Sequence, residues 1–219
     1  MSKGKSLEEK IMQGRQYRSC TEMRISSNED DSCKVEGYAT VFEKPYLLYS
    51  NRSFELFEVV DKHALDEADL SDVIMQYDHS GRVFARTRNN TLKIDIDGKG
   101  LKVNADLSGT KLGREIHEEI KGGYTDRMSY CYIPSKTEET YVEDEEIGKT
   151  IITRRIMKIS KVYDVSAVSI PANDATIISA RSAFDGVIER LKSEGLKMPD
   201  EKADEQRKLL KLKLKLMEV

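Results

Sequence analysis

Between residues 17 and 170 the chain is cut into short strand-like runs by closely spaced turn-forming residues, and that rhythm limits what it can fold into. Residues 17–25 and 34–42 read as strands around the polar loop 26–31. Residues 45–53 read as a loop, 54–60 as a strand and 63–68 as a short helix. Residues 73–77 form a further strand, ended by His79-Ser80-Gly81. Runs 83–88, 91–96 and 100–107 follow, joined by hairpin turns at Asn89-Asn90 and Asp97-Gly98. Residues 110–121 read as a helix, with Thr110 as N-cap and Gly122-Gly123 as stop. Strand 128–133 is expected to close at Pro134. Runs 136–143 and 149–161 suit a hairpin across the acidic tip at 143–146, and 162–170 is the last core strand. Many short strands with one or two helices favour a mostly antiparallel barrel or sandwich over alternating βαβ units.

The remaining chain divides around this core. We expect a polar arm over residues 1–16, one domain over 17–185 and a charged, helical tail over 186–219. In the tail, Leu210-Lys-Leu-Lys-Leu-Lys-Leu216 alternates as a strand would, yet its leucines also cover several sides of a helix. A solvated extension and a partner-docking segment both fit it. Across 219 residues the net charge is −3, which offers nucleic acid no basic field. No apolar run approaches the roughly 20 residues that span a membrane, and no signal-peptide apolar stretch is expected after the polar start Met-Ser-Lys-Gly-Lys. Cys20, Cys33 and Cys131 are odd in number and lack metal-ligand spacing, so free thiols in a reducing cytoplasm are expected.

Three side chains suggest nucleophilic chemistry. A serine hydroxyl becomes a useful nucleophile when an imidazole takes its proton and a carboxylate orients that imidazole. Ser129 lies just inside strand 128–133, where it is either a packed strand serine or a hydroxyl reached from a cleft. His117 sits in Arg-Glu-Ile-His-Glu-Glu, expected on a solvated helix face, and His63 sits in the charged Asp-Lys-His-Ala. His79 follows a buried-looking strand and precedes Gly81 by two, so a histidine base would be His79. Asp164 lies within an otherwise buried run and needs a partner, either a histidine or an arginine or turn amide. Ser108-Gly-Thr-Lys111 keeps a Ser–Lys dyad formally open, although Thr110 as a helix cap is simpler. Asp95-Ile-Asp97-Gly98 imitates a calcium loop but reads better as a hairpin turn, and no Gly-x-Ser-x-Gly elbow or second zinc histidine is present.

Taken in order, these blocks resemble the prohead (capsid maturation) serine proteases of tailed double-stranded DNA phages, distant relatives of herpesvirus assemblins. Val35-Glu-Gly-Tyr-Ala-Thr-Val-Phe42 resembles the family's opening strand, and Tyr77-Asp-His79 its histidine block. Gly123-Tyr-Thr-Asp-Arg-Met-Ser129-Tyr resembles the Gly-x-x-x-x-Met-Ser block. Val162-Tyr-Asp164-Val-Ser-Ala-Val168 with Pro171-Ala-Asn173 is similar to the Glu-Val-Ser-x-Val…Pro-Ala-Asn block. The resemblance implies an antiparallel barrel of the assemblin type with helical terminal extensions. It implies Ser129 as nucleophile, His79 as general base and Asp164 in the place usually held by glutamate. It further implies no cofactor or metal, and cleavage of capsid or scaffold segments, and of the chain itself, inside a procapsid in the host cytoplasm. The arm and tail are expected to carry packaging signals or self-cleavage sites. The alternative from another class is a non-catalytic capsid-assembly or scaffolding protein with the same fold.

Overall fold

The structure, a computed structural model, describes residues 16–26 and 33–168, with backbone alone for residues 17 and 19–22. The expected arm, tail and C-terminal helices lie outside the described residues. Within them the order is β1 (Gln16–Ile25), β2 (Lys34–Val41), β3 (Tyr46–Ser50), β4 (Phe54–Val60), β5 (Ile74–Tyr77), β6 (Ser80–Arg86), β7 (Leu92–Ile96), β8 (Gly100–Asp106), α1 (Lys111–Lys121), β9 (Arg127–Asp144) and β10 (Lys149–Val168). The protein is thus mainly β, with a single α-helix among the described residues.

Ten strands share one sheet in the order β3-β4-β10-β9-β1-β2-β8-β7, while β5 joins β10 and carries β6. The expected barrel is not closed: among the described strands, β3 and β7 end the path without meeting. β10 is long enough to take two neighbours in succession on one edge. Its first half pairs in parallel with β4 and its last residues in parallel with β5, so β5 and β6 branch away. Parallel ladders were not expected from the sequence, because each needs a long crossover that local turn signals do not announce.

β9 and β10 form the spine. Pro134 does not end a strand, as expected; β9 runs through it. Pro134 faces Ile159, where the register shifts on both sides, and such an irregularity tolerates a residue without an amide hydrogen. Residues 45–53 contain β3 rather than only loop, and residues 63–68 form turns rather than a helix. Around Asn89-Asn90 a 3-10 turn replaces the expected hairpin, with Asn90 left-handed at φ 60°. The Asp97 hairpin stands as expected, its carboxylate accepting from the Lys99 and Gly100 amides.

Thr110 caps α1 by accepting from the Gly113 amide, and Gly123 leaves the helix at φ +73°. Gly113, Ile116, His117 and Ile120 form its inward stripe at three- and four-residue spacing. His117 is therefore buried, contrary to the solvated face expected from its charged sequence neighbours; those neighbours occupy the other side of the helix. Cys33 is half-buried and Cys131 is buried.

Two local features bear on the site. Tyr77 pairs with Ser80, so Asp78 and His79 form a two-residue hairpin turn, with φ 45° and 55° respectively. Positive φ at both central positions matches the type I′ turn, which normally selects Asn-Gly. The second feature is a buried charge cluster. Glu58 accepts from Arg18 Nε (2.5 Å) and Nη2 (2.7 Å), from Tyr132 OH (2.8 Å) and from Arg154 Nη1 (3.2 Å). Burial works to raise the Glu58 pKa, but Arg18 and Arg154 outweigh it and hold the carboxyl below its usual range.

A carboxylate with a lowered folded pKa adds stability above the ordinary glutamate range, and loses it as pH falls through the folded value. Glu58→Gln should therefore cost about 3–5 kcal/mol near neutral pH, measured by urea unfolding, and its difference from wild type should shrink in acid. In the turn, Asp78→Val forces a β-branched residue into the left-handed region and should cost about 1–3 kcal/mol in the same assay. Asp78→Gly should cost far less.

Candidate active site

The register of the central strands brings the candidate residues together. Ser129, third in β9, stands directly opposite Ser166 of β10, and Asp164 stands opposite Cys131. Residues opposite one another in an antiparallel ladder project to the same face, and so do residues two apart in one strand. Ser129, Ser166 and Asp164 therefore share a face. β5 lies along the other edge of β10, with Tyr77 paired to Ala167, and delivers the Asp78-His79 turn beside them. The Asp78 amide donates to the Ala167 carbonyl at 3.1 Å, pinning the turn to β10.

The imidazole of His79 spans the gap. Its Nδ1 lies 2.5 Å from Asp164 Oδ1 and its Nε2 lies 2.6 Å from Ser129 Oγ. The three side chains expected from the sequence thus meet in one hydrogen-bonded file. Asp164 reaches the ring because β5 is hydrogen-bonded to β10 itself, leaving a short gap. With Asp164 accepting from Nδ1, the neutral ring presents Nε2 as an acceptor toward the serine, the tautomer a general base needs.

Two participants were not anticipated. Ser166 donates to Asp164 Oδ1 at 2.8 Å and accepts from the His79 amide at 3.3 Å. One hydroxyl thus supports both the carboxylate and the strained turn. Its sequence signal was its position two residues after Asp164, on the same strand face. The other is the Arg18 carbonyl, 2.7 Å from Ser129 Oγ; a backbone acceptor has no side-chain signature. Burial pushes the Asp78 carboxyl pKa up, opposed by the neighbouring His79.

The file is sealed: Ser129 is 1%, His79 1%, Asp164 5% and Ser166 0% exposed. Low dielectric strengthens its polar contacts and makes an unpaired group there costly. The other candidates stay apart from it. His63 is exposed, with Nδ1 3.0 Å from Asp66. The Ser–Lys dyad does not form, because Lys111 faces Glu115 across a helical turn while Ser108 is exposed beside the Thr110 cap. Among the described residues no group of three His, Cys, Asp or Glu side chains is placed to hold a metal ion.

No curated protein matches the sequence significantly. The solved structure of the bacteriophage T4 capsid assembly protease is similar at 12% identity and a TM-score of 0.38, covering 72% of this chain and 99% of that one. The model of the family described as caudovirus prohead serine protease matches residues 21–188, well over half of the chain. That span contains His79, Ser129 and Asp164, and the chain belongs to the caudovirus prohead serine proteases.

Proposed function

We propose that this chain is a serine endopeptidase that cleaves capsid or scaffold protein segments, and itself, as a phage procapsid matures inside the host cell. One observation carries this reading: the file Asp164 Oδ1–His79 Nδ1, His79 Nε2–Ser129 Oγ, with contacts of 2.5 and 2.6 Å. Membership of the prohead protease family supports the substrate class.

The chemistry is acyl transfer. His79 Nε2 takes the Ser129 proton while Oγ adds to the scissile carbonyl, giving a tetrahedral oxyanion and an imidazolium. Asp164 stabilises that imidazolium without taking its proton. The imidazolium then protonates the leaving amine as the C–N bond breaks. Water, deprotonated by the same nitrogen, hydrolyses the acyl-enzyme and frees Oγ. Ser166 positions the carboxylate and the turn that carries the imidazole: its hydroxyl proton fixes Asp164 Oδ1, and its lone pair holds the backbone amide of His79.

Co-expression with the capsid protein of the same phage tests the reading. Wild type should trim the capsid protein, and Ser129→Ala and His79→Ala should not, with the fold intact by circular dichroism. Trimming by Ser129→Ala overturns the nucleophile assignment; an inert wild type supports the scaffolding alternative. Asp164→Asn should lower kcat by about 10⁴-fold by favouring the wrong tautomer. Ser166→Ala, which removes one charge-assisted hydrogen bond, should lower kcat by about tenfold to a hundredfold at little change in KM, and Ser166→Thr should restore part of it.

A further inference from the structure

The strands around the catalytic file have no free edge at its level. β9 lies between β1 and β10, β10 between β9 and β5, and β5 between β10 and β6. An extended substrate therefore lies across the face that carries Ser129, and side chains around the file must recognise it. The turn that delivers His79 opens directly into an irregular stretch of chain. Tyr77 pairs with Ser80, but the next pairs along the hairpin are Met75 with Ala85 and Ile74 with Arg86. Gln76 alone thus stands opposite Gly81, Arg82, Val83 and Phe84, three residues more than a regular ladder holds.

A regular hairpin does not need this excess. Without residues 81–83, Phe84 would fall opposite Gln76, and the ladder would run unbroken from Tyr77–Ser80 to Ile74–Arg86. Phe84 and Ala85 are buried and anchor β6, whereas Ser80, Gly81, Arg82 and Val83 are exposed. A side chain on Gly81 would meet nothing within 4 Å, so open space adjoins the bulge. Bulges collect beside active sites, where they re-aim side chains. Val83 follows His79 by four residues, at most roughly 14 Å of chain. An extended substrate covers that distance in about four residues.

We infer that the bulge of residues 81–83 is a specificity wall of the active site. On it, Val83 seats an apolar side chain of the capsid or scaffold segment, within about four residues of the scissile bond. The inference rests on Ser129 being the nucleophile and on the proposed substrate class. Two readouts on the full chain test it. Trimming of the purified capsid protein of the same phage reports extended recognition, and labelling of Ser129 by a small fluorophosphonate reports the file alone. In the labelling step an Oγ–P bond forms, the P–F bond breaks, fluoride leaves and His79 receives the proton. Val83→Asp should raise KM for trimming about tenfold to a hundredfold at little change in kcat, and Val83→Ile should keep the wild-type KM. Deletion of residues 81–83 should preserve the circular dichroism spectrum and slow trimming at least tenfold. Both variants should label Ser129 within about twofold of wild type. Should the deletion disturb folding, Val83→Asp, at an exposed position, decides the matter. An unchanged KM in Val83→Asp, or unchanged trimming by the folded deletion, overturns the wall and leaves the nucleophile standing. So does labelling that falls in step with trimming, because the bulge then acts by placing His79. A wild type that labels but leaves the capsid protein uncut overturns the substrate class and the wall. Absence of Ser129 labelling in wild type overturns the nucleophile assignment and the wall with it.

Discussion

The pairing of β9 with β10 is the constraint on which the rest depends. Its register puts Ser129 opposite Ser166 and sets Asp164 two residues away on the same face. A slip of one residue would turn these hydroxyls and the carboxylate to opposite faces of the sheet. Register is strongly specified here because both faces are packed: Met128, Tyr130 and Tyr132 are buried on one side, Ser129 and Cys131 on the other. The polar cluster is thus positioned by apolar burial as much as by its own hydrogen bonds. β10 adds the second half of the construction, since the edge not used by β9 receives β5 and hence the imidazole.

The His79 turn shows what a rigid site requires of a backbone. Asp78 and His79 both occupy left-handed conformations that favour glycine or asparagine. Such strain persists only where surroundings over-determine it. Here the Tyr77–Ser80 pair, the Asp78 amide on Ala167 and the His79 amide on Ser166 do so. The ring is consequently placed by main-chain geometry, with little left to side-chain rotation.

Much of this was legible in the sequence, and the legible parts were local. Turn residues announced most strands, Thr110 and Gly122-Gly123 bracketed α1, and elimination among three histidines isolated His79. Long-range pairings were not legible. The parallel ladders of β10 with β4 and β5 leave no local mark, so a closed barrel was expected where the sheet is open. Pro134 misled because a proline in a strand usually marks its end, whereas here a register irregularity absorbs it. His117 misled because its sequence neighbours are charged, although its spacing from Ile116 and Ile120 already placed it on the inward stripe. Arg18 went unnoticed because the backbone atom that meets Ser129 is common to every residue type.

The long span of the site also orders events in time. His79 and Asp164 are 85 residues apart in the chain, and β5 has no place to dock until β10 exists. Because β10 ends at Val168, a ribosome must have passed that point before the imidazole finds its carboxylate. Contacts of such separation form late, after the local hairpins. A nascent chain therefore carries the histidine through the 85 residues that separate it from Asp164, and Ser129 joins it before the partner that couples them, so competence arrives only with β10.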